Sequence, residues 1–167
     1  MKNKQSLLSH PETLVKTDEV FEVDEAERFF PHDLYKILNR AQEIKTNHKR
    51  FIKSSANPGF QFEIRNSKVN FWVECKYREN KPDSDQINVF NGEQLKRFKS
   101  FKNSFLFLST KKQGEQNYYF IPFNHISGES LHFSFIEPYR LNYELGVRPG
   151  MICQYLKLEN DNLGVGF

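Results

Sequence analysis

Residues 71–78 read Phe-Trp-Val-Glu-Cys-Lys-Tyr-Arg, an apolar stretch that carries a carboxylate and an amine two positions apart. Successive side chains of a β-strand point to opposite faces, so the odd-numbered residues here are predicted to line a core. Glu74 and Lys76 then lie side by side on the opposite face of the same half-buried strand. Because burying charge is costly unless the charge is paired or used, these two residues are the first candidates for chemistry.

The composition favours one globular domain in the cytoplasm. A chain of 167 residues can enclose a proper core, and 17 phenylalanines supply large rings to fill it. Residues 1–20 are predicted to form a loosely held N-terminal arm, and residues 21–167 a single domain. Cys75 and Cys153 show neither metal-ligand spacing nor a disulfide framework, which favours a reducing compartment. No apolar run approaches the roughly 20 residues of a membrane span, so no membrane partner is expected.

The positive charge of the chain is mild overall but clustered. The formal net charge is +3, from 24 basic and 21 acidic residues, which permits a polyanionic partner without requiring one. In residues 48–53 and 96–102 basic side chains are interleaved with aromatic ones, which suits contacts with phosphates and bases. The same pattern is also typical of a solvated helix face. The candidate nucleic-acid contacts are Lys49, Arg50, Lys53, Lys96, Arg97, Lys99 and Lys102.

The first half of the chain is predicted to form a helix followed by a hairpin. Apolar residues at helical spacing predict a helix over residues 31–45. Residues 60–64 alternate as a strand, and a short turn then leads into the strand that carries Glu74. Two turns are compatible with the sequence: one places Gln61 opposite Trp72, and the other places it opposite Glu74.

The second half is predicted to contain one helix and several strands. Asn91 is expected to cap the helix with Gln94 as its capping-box partner. The apolar run of residues 105–108 predicts an interior strand covered on both faces. Further strands are expected at residues 118–123, 131–135 and 151–158. The predicted fold class is therefore an α/β (α+β) domain with a mixed central sheet flanked by helices.

The order of these parts and the motif Val-Glu-Cys-Lys at residues 73–76 resemble the PD-(D/E)xK nuclease superfamily, which has the restriction-endonuclease-like fold. The resemblance covers residues 31–122. In that family a helix precedes an antiparallel hairpin whose second strand carries Glu-x-Lys. Another helix then leads to a strand that pairs in parallel with the motif strand. The resemblance thus implies a restriction-endonuclease-like sheet in which the Gln94 helix and residues 105–108 follow the motif.

The resemblance implies metal-dependent hydrolysis of phosphodiesters, with DNA as the expected substrate. Glu74 and the backbone carbonyl of Cys75 would bind Mg²⁺ or Mn²⁺, which prefer oxygen ligands. Lys76 would orient the attacking water and offset charge that develops at phosphorus. Gln94 is a further candidate, because the family often places a polar residue on this helix facing the site. Many nucleases of this kind work as dimers, so the resemblance leaves a homodimer open.

The first acidic residue of the family pattern is where this sequence departs from it. Gly59 follows Pro58 at the place where the family has aspartate. Counting back from the hairpin turn instead gives Gln61, a neutral and weaker ligand. Glu63 shares the expected face, eleven residues before Glu74, and is the candidate substitute; Glu63 or Gln61 is expected to lie within metal-bridging reach of Glu74.

Two alternatives to an active nuclease follow from this departure. Without the first acid, the chain would be a catalytically inactive nuclease-fold module that binds nucleic acid or a protein partner. A third hypothesis is an unrelated mixed α/β domain. Solvent-exposed Glu74 and Lys76 without a second carboxylate would favour that hypothesis.

Overall fold

The structure is a computed structural model that describes residues 20–40, 43–46, 49–53 and 58–158. The predicted N-terminal arm lies outside these residues, except for its last residue. The strands are β1 (Val20–Glu22), β2 (Tyr35–Arg40), β3 (Glu43–Thr46), β4 (Lys49–Lys53), β5 (Phe60–Ile64), β6 (Asn70–Asn80), β7 (Gln86–Asn88), β8 (Ser104–Lys112), β9 (Glu115–Pro122) and β10 (Ser130–His132). The helices of the described residues are α1 (Val23–Phe29), α2 (Gly92–Lys99), α3 (Phe133–Ile136) and α4 (Pro149–Tyr155). None of these four helices is long and apolar enough to cross a membrane.

A five-stranded mixed sheet in the order β2-β5-β6-β8-β9 forms the centre of the fold. Strand β5 pairs antiparallel with both β2 and β6, and β8 pairs antiparallel with β9. Strands β6 and β8 are parallel, and α2 lies in the connection between them. A three-stranded sheet, β1-β4-β3, and a β7-β10 pair complete the strands of the described residues. The prediction of an α+β domain with a mixed central sheet flanked by helices is confirmed.

Two separate hydrophobic cores cover the two faces of the sheet. The first is rich in phenylalanine and packs Phe29 and Phe30, at the end of α1, against Phe107 of β8. The second packs α2 against the other face of β8, where Leu106 and Leu108 are fully buried. Strand β8 is therefore covered on both faces, as the apolar run of residues 105–108 predicted.

The local signals for α2 and for the β8–β9 hairpin are also confirmed. Asn91 Oδ1 accepts a hydrogen bond of 2.8 Å from the backbone N–H of Gln94, and Gln94 Oε1 accepts one of 3.4 Å from that of Asn91. This reciprocal pair is the capping box that the sequence indicates. At the hairpin, Gln113 and Gly114 both have positive φ, 53° and 79°, as a tight two-residue turn between twisted strands requires.

The helix predicted over residues 31–45 is wrong. The helix of this region ends at Phe29, before Pro31, and the chain then forms β2 from Tyr35 to Arg40. Tyr35 is fully buried, whereas Leu38, which a helix would bury, is 38% exposed. Pairing with β5 satisfies the backbone of β2, and the tyrosine hydroxyl donates a 2.7 Å hydrogen bond to a distant backbone carbonyl. These long-range contacts outweigh the helical spacing.

Two strands predicted near the C-terminus are wrong in whole or in part. Of the segment 151–158, residues 151–155 belong to helix α4, which begins with Pro149 at a position where a missing N–H costs nothing. Ile152 and Cys153 are buried as neighbours, which suits a helix that rests on the first core. In the segment 131–135 only the first two residues are in a strand, and α3 begins at Phe133. Short apolar runs such as these fit a helix or a strand equally well.

Candidate functional site

Glu74 and Lys76 lie on the face of β6 that looks toward the second core. They pair in register with Leu106 and Leu108 of β8, and each is only 2% exposed. The sequence predicts the shared face correctly but underestimates the burial. Such burial of two charged groups is costly for folding, and an apolar pair of similar size is often at least as stable. Folding alone therefore does not account for the pair.

The surroundings of Glu74 hold its carboxyl group in an unusual state. Burial raises the pKa of Glu74 from 4.5 to about 8, and the nearby charge of Lys76, the backbone N–H of Cys75 and the guanidinium of Arg97 partly oppose this rise. Among the described residues, Glu74 Oε2 has no hydrogen-bond partner. A buried oxygen in this situation is costly and calls for an explanation such as a bound ion or water.

Arg78 and Lys76, two of the cations whose charge acts on Glu74, differ in what they contact. Arg78, two residues beyond Lys76, donates through Nε to the carbonyl of Asn88 at 2.8 Å and through a terminal nitrogen to the carbonyl of Val89. These bonds tie β6 to the end of β7 and the residue after it, so Arg78 is a structural residue. Lys76 Nζ lies 5.9 Å from the ring centre of Phe90, within range of a cation–π contact.

The register between β5 and β6 decides where the missing acid would stand. Gln61 pairs with Trp72 and Glu63 pairs with Asn70, which settles the two turn alternatives in favour of the first. Directly paired residues share a face, so both side chains lie on the Glu74 side, as predicted. Continuing the register one residue beyond the last pair places Gly59 opposite Glu74.

This register separates Glu63 from Glu74. The level of Glu63 is four residues from Glu74 along β6, about 13 Å at the rise of a β-strand. Of the two residues expected within metal-bridging reach of Glu74, Glu63 is therefore the more distant. Gln61 is only two residues away, but its Oε1 accepts a 2.5 Å hydrogen bond from Asn39 and its Nε2 donates to Asn70 at 3.4 Å.

The backbone of β6 offers one more oxygen near Glu74. The N–H of Trp72 donates to the carbonyl of Asn103 just before β8, so even-numbered residues of β6 direct their backbone groups toward β8. The carbonyl of Cys75 is consequently directed toward the β5 side. It lies beyond Phe60, the first residue of β5 and the partner of Val73. The Glu74 carboxylate and this carbonyl are therefore adjacent candidate ligands.

The Glu74 carboxylate and the Cys75 carbonyl provide the minimum number of protein ligands for a magnesium ion. Mg²⁺ is usually held by one or two carboxylates, with waters and substrate phosphate in the remaining positions. Glu74 supplies one carboxylate with an unpartnered oxygen, and Cys75 supplies its carbonyl. In the part of the chain that the structure describes, no three His, Cys, Asp or Glu side chains are grouped so that they could hold a metal ion together. A cation at Glu74 would depend on water and substrate phosphate for most of its ligands.

The other candidate residues divide into three groups. Gln94 is the capping-box partner of Asn91, as described above. Within the basic segment after it, Arg97 is the residue whose charge acts on Glu74, and its Nε is buried without a hydrogen-bond partner among the described residues. The exposed members of that segment are Lys96, Lys99 and Lys102. The side chains of Lys49, Arg50 and Lys53, all on β4, lie outside what the structure describes.

A groove of about 390 Å³ opens at the end of the sheet where β8 begins and β9 ends. Lys99 and Phe101 form one side of it and Tyr155 lies among its other lining residues. The ring of Phe101 contacts that of Trp72 at 5.1 Å between ring centres, and Trp72 shares the face of Glu74. The sequence does not predict this groove, because its walls come from three separate segments of the chain, residues 99–105, 122–124 and 155–156. The interleaved basic and aromatic residues at 96–102 are the only sequence signal for it.

Comparison with models of known protein families found none that matches this chain. Comparison with the curated proteins likewise found no similar sequence. What Glu74, Lys76 and the neighbouring groove can do chemically is thus the basis for assigning a function.

Proposed function

We propose that the chain is a metal-dependent phosphodiesterase that cleaves nucleic acid, with DNA as the expected substrate. One observation carries the proposal: Glu74 is buried with a carboxylate oxygen that has no hydrogen-bond partner among the described residues, beside a buried lysine on the same rigid strand. Spacing of two residues along a strand holds a carboxylate and an ammonium group on one face. This is what a site needs in order to bind a hard cation and a phosphate side by side.

The order of the elements around the motif also supports the proposal. Helix α1 precedes the antiparallel strands β2, β5 and β6, and α2 then leads to β8, which is parallel to the motif strand. This is the order that the resemblance to the PD-(D/E)xK superfamily implies. The chain departs from that order in two respects: the helix before the strands is at Val23–Phe29 rather than in the segment after Pro31, and strands β2, β3 and β4 lie between this helix and the hairpin of β5 and β6.

Each residue of the site would have a distinct part in the reaction. A divalent cation, when bound, would supply a Lewis acid at the phosphate and lower the pKa of an attacking water. Glu74 and the carbonyl of Cys75 would hold that cation. The ammonium group of Lys76 would orient the water and offset negative charge at phosphorus. The charge of Arg97 would help to attract the phosphate, and burial strengthens each of these interactions.

A second candidate function is a binding module without catalysis. The observation that favours it is Gly59 at the place opposite Glu74, with Gln61 hydrogen-bonded to its neighbours one step away. A single carboxylate with a raised pKa binds metal weakly, because the cation must displace a proton. In this case the domain would bind nucleic acid and leave it intact.

Cleavage assays with matched variants distinguish the two functions. Labelled single-stranded and double-stranded DNA would be incubated with Mg²⁺ or Mn²⁺ and the wild-type protein, Glu74→Gln, Lys76→Met or Glu79→Gln. Glu79 is an exposed carboxylate on the same strand and serves as the control. We expect metal-dependent cleavage that Glu74→Gln and Lys76→Met abolish and Glu79→Gln preserves. Absence of cleavage with either metal, from folded protein that still binds DNA, would refute the phosphodiesterase and establish the binding module.

A further inference from the structure

We propose that the surface leading away from Glu74 binds an unpaired strand of nucleic acid, so that the substrate is single-stranded or has a single-stranded region. The choice of nucleic acid rests on the proposed function, whereas the preference for unpaired bases comes from a separate set of side chains. These form what we call the aromatic track. Its members are Trp72, Phe101, Tyr155, Tyr139 and Phe135.

The track begins beside the candidate site. Trp72 lies on the same face of β6 as Glu74, two residues away, and is only partly buried. Its ring meets that of Phe101 edge-on, with 5.1 Å between ring centres and 61° between planes. Phe101 follows the end of α2 and forms one wall of the groove. A strand bound along the track would therefore reach Trp72, two residues from the buried Glu74.

The groove itself has the lining that one unpaired nucleotide needs. Its volume of about 390 Å³ is within the range of small-ligand clefts, and Phe101 and Tyr155 offer ring surfaces for stacking. Side-chain amides of Asn103 and Asn124 can exchange hydrogen bonds with the edge of a base. The exposed ammonium group of Lys99 lies at the rim, where it can contact a phosphate.

The track continues beyond the groove over the C-terminal part of the domain. The ring of Tyr155 is 6.3 Å from that of Tyr139, which is in turn 5.7 Å from that of Phe135. Tyr139 is fixed by a 2.8 Å hydrogen bond between its hydroxyl and Nδ1 of His125. Phe135 is 37% exposed, so part of its ring is accessible to a ligand. A row of rings ending in an exposed phenylalanine is a suitable platform for successive bases.

Charge along the track is compatible with a polyanion. Lys99 lies at the groove, and the exposed Lys102 follows Phe101 in the chain. The acidic residue closest to Tyr139 in the chain, Glu137, is paired with Arg140 at 3.2 Å, which reduces its repulsion of phosphate. Bases in a duplex already stack on one another, so only unpaired bases can place their faces on side-chain rings. The track therefore favours single strands over duplexes.

Binding measured without metal tests this inference independently of catalysis. Fluorescence anisotropy in the presence of a chelator would compare a short labelled DNA strand, an RNA strand of the same sequence, and the blunt DNA duplex. We expect the single strands to bind at least about tenfold more tightly than the duplex. Phe135→Leu and Tyr155→Leu should each weaken single-strand binding by about tenfold, as the loss of one stacked base implies. The RNA and DNA arms show which sugar the track accepts.

Matched controls separate stacking from loss of folding. Tyr143→Leu removes another exposed ring, 43% exposed, that packs on Phe29 and Tyr118 and is not part of the track. It should leave single-strand binding unchanged, and all variants should melt at wild-type temperature within a few degrees. Equal affinity for strand and duplex, or full affinity in folded Phe135→Leu and Tyr155→Leu, would overturn the inference. Single-strand binding through the track without any cleavage would refute the phosphodiesterase but not the track.

Discussion

The two faces of strand β6 are almost equally buried and yet chemically opposite. The face toward the first core carries Phe71, Val73 and Cys75, and the face toward the second core carries Glu74 and Lys76. Since the same backbone supports both faces, neither burial nor strand geometry explains the difference. A charged face that would be at least as stable with apolar residues points to a use other than folding.

A second comparison, within the charged face, separates structural charge from candidate functional charge. Arg78 donates hydrogen bonds to three backbone carbonyls and so has a complete structural role. Glu74, four residues earlier on the same face of β6, has a carboxylate oxygen without a hydrogen-bond partner among the described residues. An unsatisfied buried group, rather than buried charge as such, is what distinguishes a candidate ligand site.

The largest effect on stability should come from the apolar face. We expect Phe71→Ala to lower the free energy of unfolding by about 3–5 kcal/mol, because it leaves a cavity among closely packed rings. Chemical denaturation followed by circular dichroism measures this. Val73→Ala, on the same face, should cost less because fewer atoms are removed. A change below about 1 kcal/mol for Phe71→Ala would mean that the first core is not well packed.

Arg78→Met should have the next largest effect. It keeps the apolar stem but removes the donors to the carbonyls of Asn88 and Val89, so we expect a loss of about 2–3 kcal/mol in the free energy of unfolding. Cleavage by the folded variant should persist. An Arg78→Met protein that is fully stable but inactive would instead place Arg78 in the site and remove the contrast with Glu74.

Glu74→Gln should change how the free energy of unfolding depends on pH. Because the pKa of Glu74 is raised from 4.5 to about 8 in the folded state, wild-type stability is fully present below about pH 4.5 and falls as pH rises toward 8. The stability of Glu74→Gln relative to wild type should therefore increase as pH rises over that range. Denaturation curves across the range measure the slope, with Glu79→Gln as the exposed control. A flat difference would show that Glu74 is ionised in the folded protein throughout.

Gln61→Glu should give a smaller but informative change. It places a second carboxylate of nearly the same shape two residues from the level of Glu74, on the same face. We expect the affinity for Mn²⁺ to rise severalfold, since a second carboxylate ligand suits a divalent cation. Glu63→Gln, farther along the strand, should leave the affinity unchanged. If Glu63→Gln weakened Mn²⁺ binding instead, the register-based separation of Glu63 from the site would be wrong.

The parts that the sequence predicted are those with strong local signals. The alternation of β6, the capping box of Asn91 and Gln94, and the apolar run in β8 each depend on neighbouring residues, and all three are confirmed. Strand β2 and helix α4 were not predicted, because their conformations depend on partners far away in the chain. The groove was not predicted for the same reason, since no local pattern shows that Tyr155 comes close to Lys99.

In the candidate site, too, the features with local signals were predicted and those that depend on distant residues were not. Alternation placed Glu74 and Lys76 on one face with Gln61 and Glu63, but it left two registers open, and only the paired strands show which one forms. The depth of burial also depends on α2, which closes over this face in three dimensions. Sequence reasoning thus located the carboxylate but neither its unpartnered oxygen nor its distance from Glu63.

The most direct test of the central claim is a calorimetric titration of Mn²⁺ into wild-type protein, Glu74→Gln and Glu79→Gln at two pH values between 6 and about 8. We expect one binding event that is lost in Glu74→Gln, kept in Glu79→Gln, and tighter at the higher pH as a proton is released from Glu74. Binding of equal strength in wild type and Glu74→Gln, or no binding by any of the three folded proteins, would show that the Glu74 carboxylate is not a metal ligand.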